Sequence, residues 1–188
     1  MTVQSLLDTA TAVERLQAGL VIAYPTEAVF GLGCDPANES AVRKLLLLKG
    51  RHESAGLVLI ASDFSQLKPW VAEVKEALVK KAMQTWPGPV TWLFPRAAGV
   101  PDYVAGKHKT VAVRITAHEP SRKLCTAFGS ALISTSANHT SAEPARSAEE
   151  VQSYFGSGIA GILAGDLGSG DKPSEIRDLV SSKIIRQG

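Results

Sequence analysis

The chain has 188 residues, 45% of them hydrophobic and 20% charged, and 20 basic residues against 18 acidic ones leave a net charge of +2. That length fits one domain whose core needs no disulfide or metal staple, and the ordinary composition excludes disorder and fibrous repeats. No segment approaches the roughly 20 uninterrupted apolar residues of a membrane span, and Met1 to Asp8 lacks the basic-then-apolar order of a secretory signal, so a cytosolic protein is expected.

Leu6, Ala10, Val13 and Leu16 recur at helical spacing with Gly19 placed to end the helix. An apolar strand over Leu20 to Tyr24, stopped by Pro25, follows. Asn38 is a helix cap for the run through Ala41, Val42, Leu45 and Leu48, which sets Lys49 and Arg51 at or just past its end. Gly56 to Ile60 is continuously apolar, the pattern of a strand buried on both faces. Asp63 caps a short turn, Glu73 to Thr85 gives a helix stopped at Trp86-Pro87-Gly88-Pro89, and strands are predicted at Val90 to Phe94 and Val111 to Ile115. Glu119-Pro120 opens a helix that Gly129 ends. Ala131-Leu132-Ile133 is then a buried strand whose tip carries Ser134-Thr135-Ser136-Ala137-Asn138. Ser147 and Glu150 have capping-box spacing, and short strands are expected over Ile159 to Leu163 and Lys183 to Arg186. No repeat or linker interrupts residues 1–188, so the fold class is a single α/β domain with a mixed sheet.

Three hydroxyls and an amide on small side chains let donors approach an anion closely at the Ser134 to Asn138 tip, though such a run also serves as a turn cap. In Tyr24-Pro25-Thr26-Glu27-Ala28-Val29-Phe30-Gly31-Leu32-Gly33, the glycines permit close backbone approach or positive φ. Thr26 can donate to an oxyanion there, and Glu27 can accept from an amine or hydroxyl; a β-turn and a bulged strand account for the same residues. Lys49 and Arg51, one residue apart, supply the two cations that a triphosphate and a pyrophosphate leaving group require, although a helix C-terminus attracts cations anyway. Arg114 interrupts Val111-Ala112-Val113-Arg114-Ile115 on the face opposite Val113 and Ile115, toward solvent or a ligand cleft. Lys107, His108 and Lys109 read as a solvated face.

Other chemistries are excluded by spacing. Cys34 and Cys125 lack CxxC or Cys/His ligand patterns and are expected as reduced thiols. His52, His108, His118 and His139 never fall at HExxH spacing, and no protein-bound metal is expected. Gly165 to Lys172 fails as a phosphate loop because Asp171 intrudes before the lysine and Pro173 takes the hydroxyl position. No GxSxG elbow is present.

In order, YPTEAVFGLGCD at 24–35, Lys49-Gly50-Arg51, PGPVT at 87–91, VAVRI at 111–115, STSAN at 134–138 and PSEIRD at 173–178 resemble the YrdC/TsaC family, over nearly the whole chain and in its short, single-domain bacterial form. The resemblance implies a twisted open α/β sheet with flanking helices and a basic concave cavity. It implies synthesis of threonylcarbamoyl-AMP from L-threonine, bicarbonate and ATP, with Mg²⁺ carried by ATP, for threonylcarbamoyladenosine formation beside the tRNA anticodon. It further implies Lys49 and Arg51 as catalytic, and Lys49, Arg51, Ser136, Asn138 and Arg186 as ATP contacts. Thr26, Arg114, Ser134 and Ser174 fall on the threonine and carbamate side. The product would pass to the tRNA threonylcarbamoyl transferase complex (TsaD, TsaB, TsaE), with tRNA contact a further option and no membrane partner. Ala28 and Phe30 stand where longer relatives often have Thr and Tyr, His52 where proline follows the Lys-x-Arg triplet, and Glu175 where a small hydroxyl residue is common.

Two other readings use the same residues: an RNA-binding module, disfavoured by 6% aromatics, and a non-synthase paralogue with the same nucleotide pocket.

Overall fold

The computed structural model describes residues 6–188, so the first five residues of the Met1 to Asp8 stretch lie outside the described residues. Asp8 caps α1 (Thr9–Gln17) by accepting from the Thr11 N–H, and the chain then enters β1 (Ile22–Pro25) and returns as β2 (Phe30–Gly33). Asn38 Oδ1 accepts from the Ala41 N–H at the head of α2 (Glu39–Lys49), and Gly50 closes that helix at φ +60°, where a side chain would be strained. Then come β3 (Val58–Ala61), α3 (Glu76–Met83), β4 (Val90–Pro95), α4 (Asp102–Ala105) and β5 (Thr110–Ile115). α5 (Glu119–Phe128) carries Pro120 in its first turn and ends at left-handed Gly129; β6 (Leu132–Ser136), α6 (Ala148–Phe155), β7 (Glu175–Asp178) and β8 (Ile184–Arg186) complete the order.

The eight strands form one mixed sheet in the order β1-β2-β6-β3-β5-β4-β7-β8. β3 runs parallel to β5 and β4 to β7, and the other neighbours are antiparallel. Residue parity sorts the sheet into two apolar layers. Val21, Ala23, Leu59, Ala61 and Ile133 join one core with α2 and α6, whereas Ile22, Tyr24, Ile60 and Leu132 join another with α1 and α5. This double burial is what the unbroken apolar run at Leu57 to Ile60 predicted.

Five local expectations change. The Ser134 to Ser136 segment is not beyond its strand but within it, because pairing continues on both sides, Val58 opposite Ser134 and Gly31 opposite Ser136. Pro25 belongs to β1 rather than stopping it; β1 is the terminal strand of the order, where a missing N–H is tolerated. The polar Glu175–Asp178, not read as a strand, forms one, and at Phe30–Gly33 the strand reading is realised without the bulge. Ile159 to Leu163 is reduced to bridges from Ile162 to Ala23 and from Leu163 to Leu7. The Ser147 cap forms, but the Glu150 carboxylate accepts from the Arg146 N–H, so the box is not reciprocal.

Candidate active site

α1 and α5 cover only part of their face of the sheet. Over the uncovered part lies a cavity of about 390 Å³, floored by Val58, Ala112, Arg114, Ser134 and Ser136. Its walls come from Thr26 to Gly31, from Arg51, from Gly170, Lys172, Pro173 and Ser174, and from Ile185 and Arg186. Sheet parity places Arg114 here: it pairs with Ile60, opposite in phase to Val113 and Ile115, and the cleft reading of that face holds.

The cavity is short of negative charge. Arg51, Arg114, Lys172 and Arg186 face one carboxylate, Glu27. Arg114, 6% exposed, lies 3.1 Å from Glu27 Oε2 through Nη1, and Glu27 Oε1 accepts from Thr116 Oγ1 at 2.7 Å. Glu27 Oε2, Arg114 Nε and Arg51 Nε are nonetheless buried without a hydrogen-bond partner. Arg186 is exposed as a residue, but partial desolvation of its guanidinium lowers its pKa, and repulsion from Arg114 and Arg51 lowers it further; desolvation alone lowers that of Arg51. Guanidiniums that act on Arg186 across an open volume with one carboxylate leave that volume electropositive.

The sequence-predicted residues divide. Thr26, Arg51, Arg114, Ser134, Ser136, Ser174 and Arg186 all line the cavity. Arg51 is steered by its Nη2 bond to Gly56 O at 2.8 Å, and Arg186 by its Nη2 bond to Ser174 O at 2.7 Å. The Thr26 hydroxyl spends its proton on Val29 O at 2.7 Å, so it offers the cavity lone pairs rather than the expected donor. Ser174 Oγ shares a hydrogen bond with Thr91 Oγ1 at 3.0 Å.

Lys49 and Asn138 are not among the lining residues. The Lys49 ammonium lies behind β6, donating to Ser136 O at 2.5 Å, Asn138 O at 2.9 Å and Asn138 Oδ1 at 3.2 Å. Asn138 Oδ1 also accepts from Ser136 Oγ at 2.6 Å, and its amide donates to Ala142 O at 2.6 Å. Lys49 therefore sets the shape of the serine-bearing tip and adds positive potential from behind it.

Glu27 lines the site, in keeping with its reading as an acceptor in the Thr26–Glu27 stretch; Lys172 and His108 also line it, the former assigned no role in the sequence and the latter read there as part of a solvated face. Glu27 carries a local signal in its position after the Pro25-Thr26 turn, while Lys172 reaches the cavity only through tertiary folding. Among the described residues, no three His, Cys, Asp or Glu side chains converge as a metal cage. Cys34 and Cys125 are buried free thiols, and burial pushes the Cys125 thiol up to about 12. No helix among the described residues is long and apolar enough to cross a membrane.

The family model for Sua5, YciO and YrdC, described as "Telomere recombination", matches residues 14–188. A relative named threonylcarbamoyl-AMP synthase from Halorhodospira halophila is 47% identical over 176 residues, covering 94% of this chain and 92% of the relative. The crystal structure of P. abyssi Sua5 complexed with L-threonine superposes with a TM-score of 0.85 at 32% identity. It matches 90% of this chain, which spans only 50% of the Sua5 chain. E. coli YciO superposes with a TM-score of 0.81 at 26% identity, over 96% of this chain and 88% of YciO.

Proposed function

The chain belongs to the Sua5/YciO/YrdC family, and from that premise we propose that it is a threonylcarbamoyl-AMP synthase whose residues 1–188 act as one domain. The observation that carries the reading is the cavity in which Arg51 and Arg114 both repel Arg186 beside small hydroxyls and a single carboxylate. Threonine and bicarbonate condense to the N-carboxylate with loss of water. A carbamate oxygen then forms a bond to the α-phosphorus of ATP as the bond from that phosphorus to the bridging oxygen of pyrophosphate breaks. Since the carbamate is already an anionic nucleophile, positioning and charge stabilisation do most of the work.

We assign Arg51 and Arg186 to the phosphates and Ser136 to the nucleotide, with Asn138 acting on the nucleotide through the Ser136 hydroxyl it holds rather than by the direct contact expected from the sequence. Arg51 stabilises charge on departing pyrophosphate from inside the cavity, and Lys49 does so from behind the Ser136 to Asn138 segment. Thr26, Arg114, Ser134 and Ser174 serve the threonine and carbamate side. Mg²⁺ enters on the ATP phosphates, and Glu27, already engaged by Arg114 and Thr116, is no ready ligand for it. The product is a mixed anhydride and needs an acceptor reaction at a tRNA adenosine, in the cytoplasm.

Pyrophosphate release from ATP tests this reading. It is expected to require both threonine and bicarbonate and to fall by about 10²-fold or more in Arg51→Ala and Lys49→Ala, the scale for removing one charge-stabilising donor. Release indifferent to either co-substrate, or undiminished in Lys49→Ala, overturns it. Salt-dependent tRNA binding without any release would favour the RNA-binding module instead.

A further inference from the structure

The segment from Gly165 to Lys172, rejected as a phosphate loop, forms a strap along one wall of the cavity. Gly168 N donates to Thr26 O at 2.9 Å and Gly170 N to Glu27 O at 2.8 Å. A Cβ on Gly168 would meet the Glu27 backbone at 2.8 Å, and one on Gly170 would meet it at 2.9 Å, so the glycines allow this approach.

The strap has a second anchor outside the cavity. His118 is buried, and its Nε2 lies 2.9 Å from Asp166 O, which can only accept. Its Nδ1 lies 3.1 Å from Ser121 Oγ, whose one proton goes to Pro25 O at 2.7 Å. The Asp166 contact therefore takes the Nε2 proton. The His118 main-chain N–H also donates to Thr116 Oγ1 at 3.2 Å, the hydroxyl that holds the Glu27 carboxylate.

We infer that His118 is a positioning residue of the reaction: its imidazole latches the strap at Asp166 to the Pro25 turn, and so fixes Thr26 and Glu27 against Arg114. It touches no substrate and acts through that turn.

The test is amide hydrogen exchange together with substrate kinetics on the full chain. In His118→Ala, exchange at Gly168 and Gly170 is expected to accelerate about tenfold or more. The threonine KM is expected to rise about tenfold while the ATP KM stays within about twofold, the scale of one lost hydrogen bond. His118→Gln, which retains a donor for Asp166 O, recovers part of both effects. Ser121→Ala removes the other contact and moves both in the same direction, which covers the case of a His118→Ala protein that does not fold. Unchanged glycine exchange overturns the latch; accelerated exchange with the two KM values moving together overturns the positioning role. A Gln variant indistinguishable from Ala overturns the hydrogen-bond account. The kinetic arm rests on the synthase reading and the exchange arm does not, so a wild-type protein without threonine dependence fails that reading alone.

Discussion

Lys49 is a cation enclosed by oxygens, 3% exposed and held by the Ser136 and Asn138 carbonyls and the Asn138 amide oxygen. Burial, and then the Arg51 guanidinium, bring its pKa down from 10.5 to about 8. Between those two values the unfolded chain keeps a proton that the folded chain has shed, so this residue's contribution to folding stability rises with pH across that window. Anion affinity moves the opposite way, because neutral Lys49 withdraws positive potential from behind the cleft. Raising the pH from about 7 to about 9 is expected to weaken ATP binding in the wild type and much less in Lys49→Met. Calorimetric titration at several pH values checks this, and equal slopes would refute it. The Lys49–Arg51 pair was legible in the sequence as two cations at a helix end. Its geometry was not: Gly50 in the left-handed conformation sends Arg51 to the cavity, while Lys49 stays on the last turn of α2 beside the buried Leu45 and Leu46.

At the scale of elements, β2 is the strand that glycine both hides and permits. Its Gly33 has no positive φ, so of the two roles the sequence offered, close approach is the one realised. A Cβ there would meet Tyr24 Cε1 at 2.5 Å and Ile133 O at 2.6 Å, and the Tyr24 hydroxyl is itself fixed by its bond to Ile133 O at 2.9 Å. Gly33→Ala is expected to lower stability by about 2–3 kcal/mol through forced displacement of β1 or β6. Urea denaturation measures it, and a loss below about 0.5 kcal/mol would mean that Tyr24 moves aside without strain. Helix caps at Asn38 and Ser147, the Gly129 terminus and the apolar strands were readable because their signals lie within a few residues of the feature. β2 was open to a second reading as a pocket loop, and β7 was not read as a strand at all, since short polar or glycine-rich strands owe their existence to neighbours far away in sequence.

Across the whole molecule, the cavity gathers cations from separate regions: Arg51 after α2, Arg114 in β5, Lys172 in the strap and Arg186 in β8. No window of the sequence shows this convergence, because it depends on strand order and on which face α1 and α5 leave open; the ordered motifs located the residues, and the sheet supplies their distances. Arg186→Gln is expected to weaken ATP binding about tenfold at low salt and to make its salt dependence shallower, since one charge-assisted contact is lost. An unchanged slope would place Arg186 outside the nucleotide's field. The position of Arg186 has a further result. β8 is the outermost strand, paired only with β7, and all three of its residues are exposed. A hairpin attached at one edge opens at lower free-energy cost than the strands inside the sheet. On the proposed assignment of Arg186 to the phosphates, nucleotide binding is expected to slow amide exchange across β8, because ordering of this edge is then coupled to occupancy of the cavity.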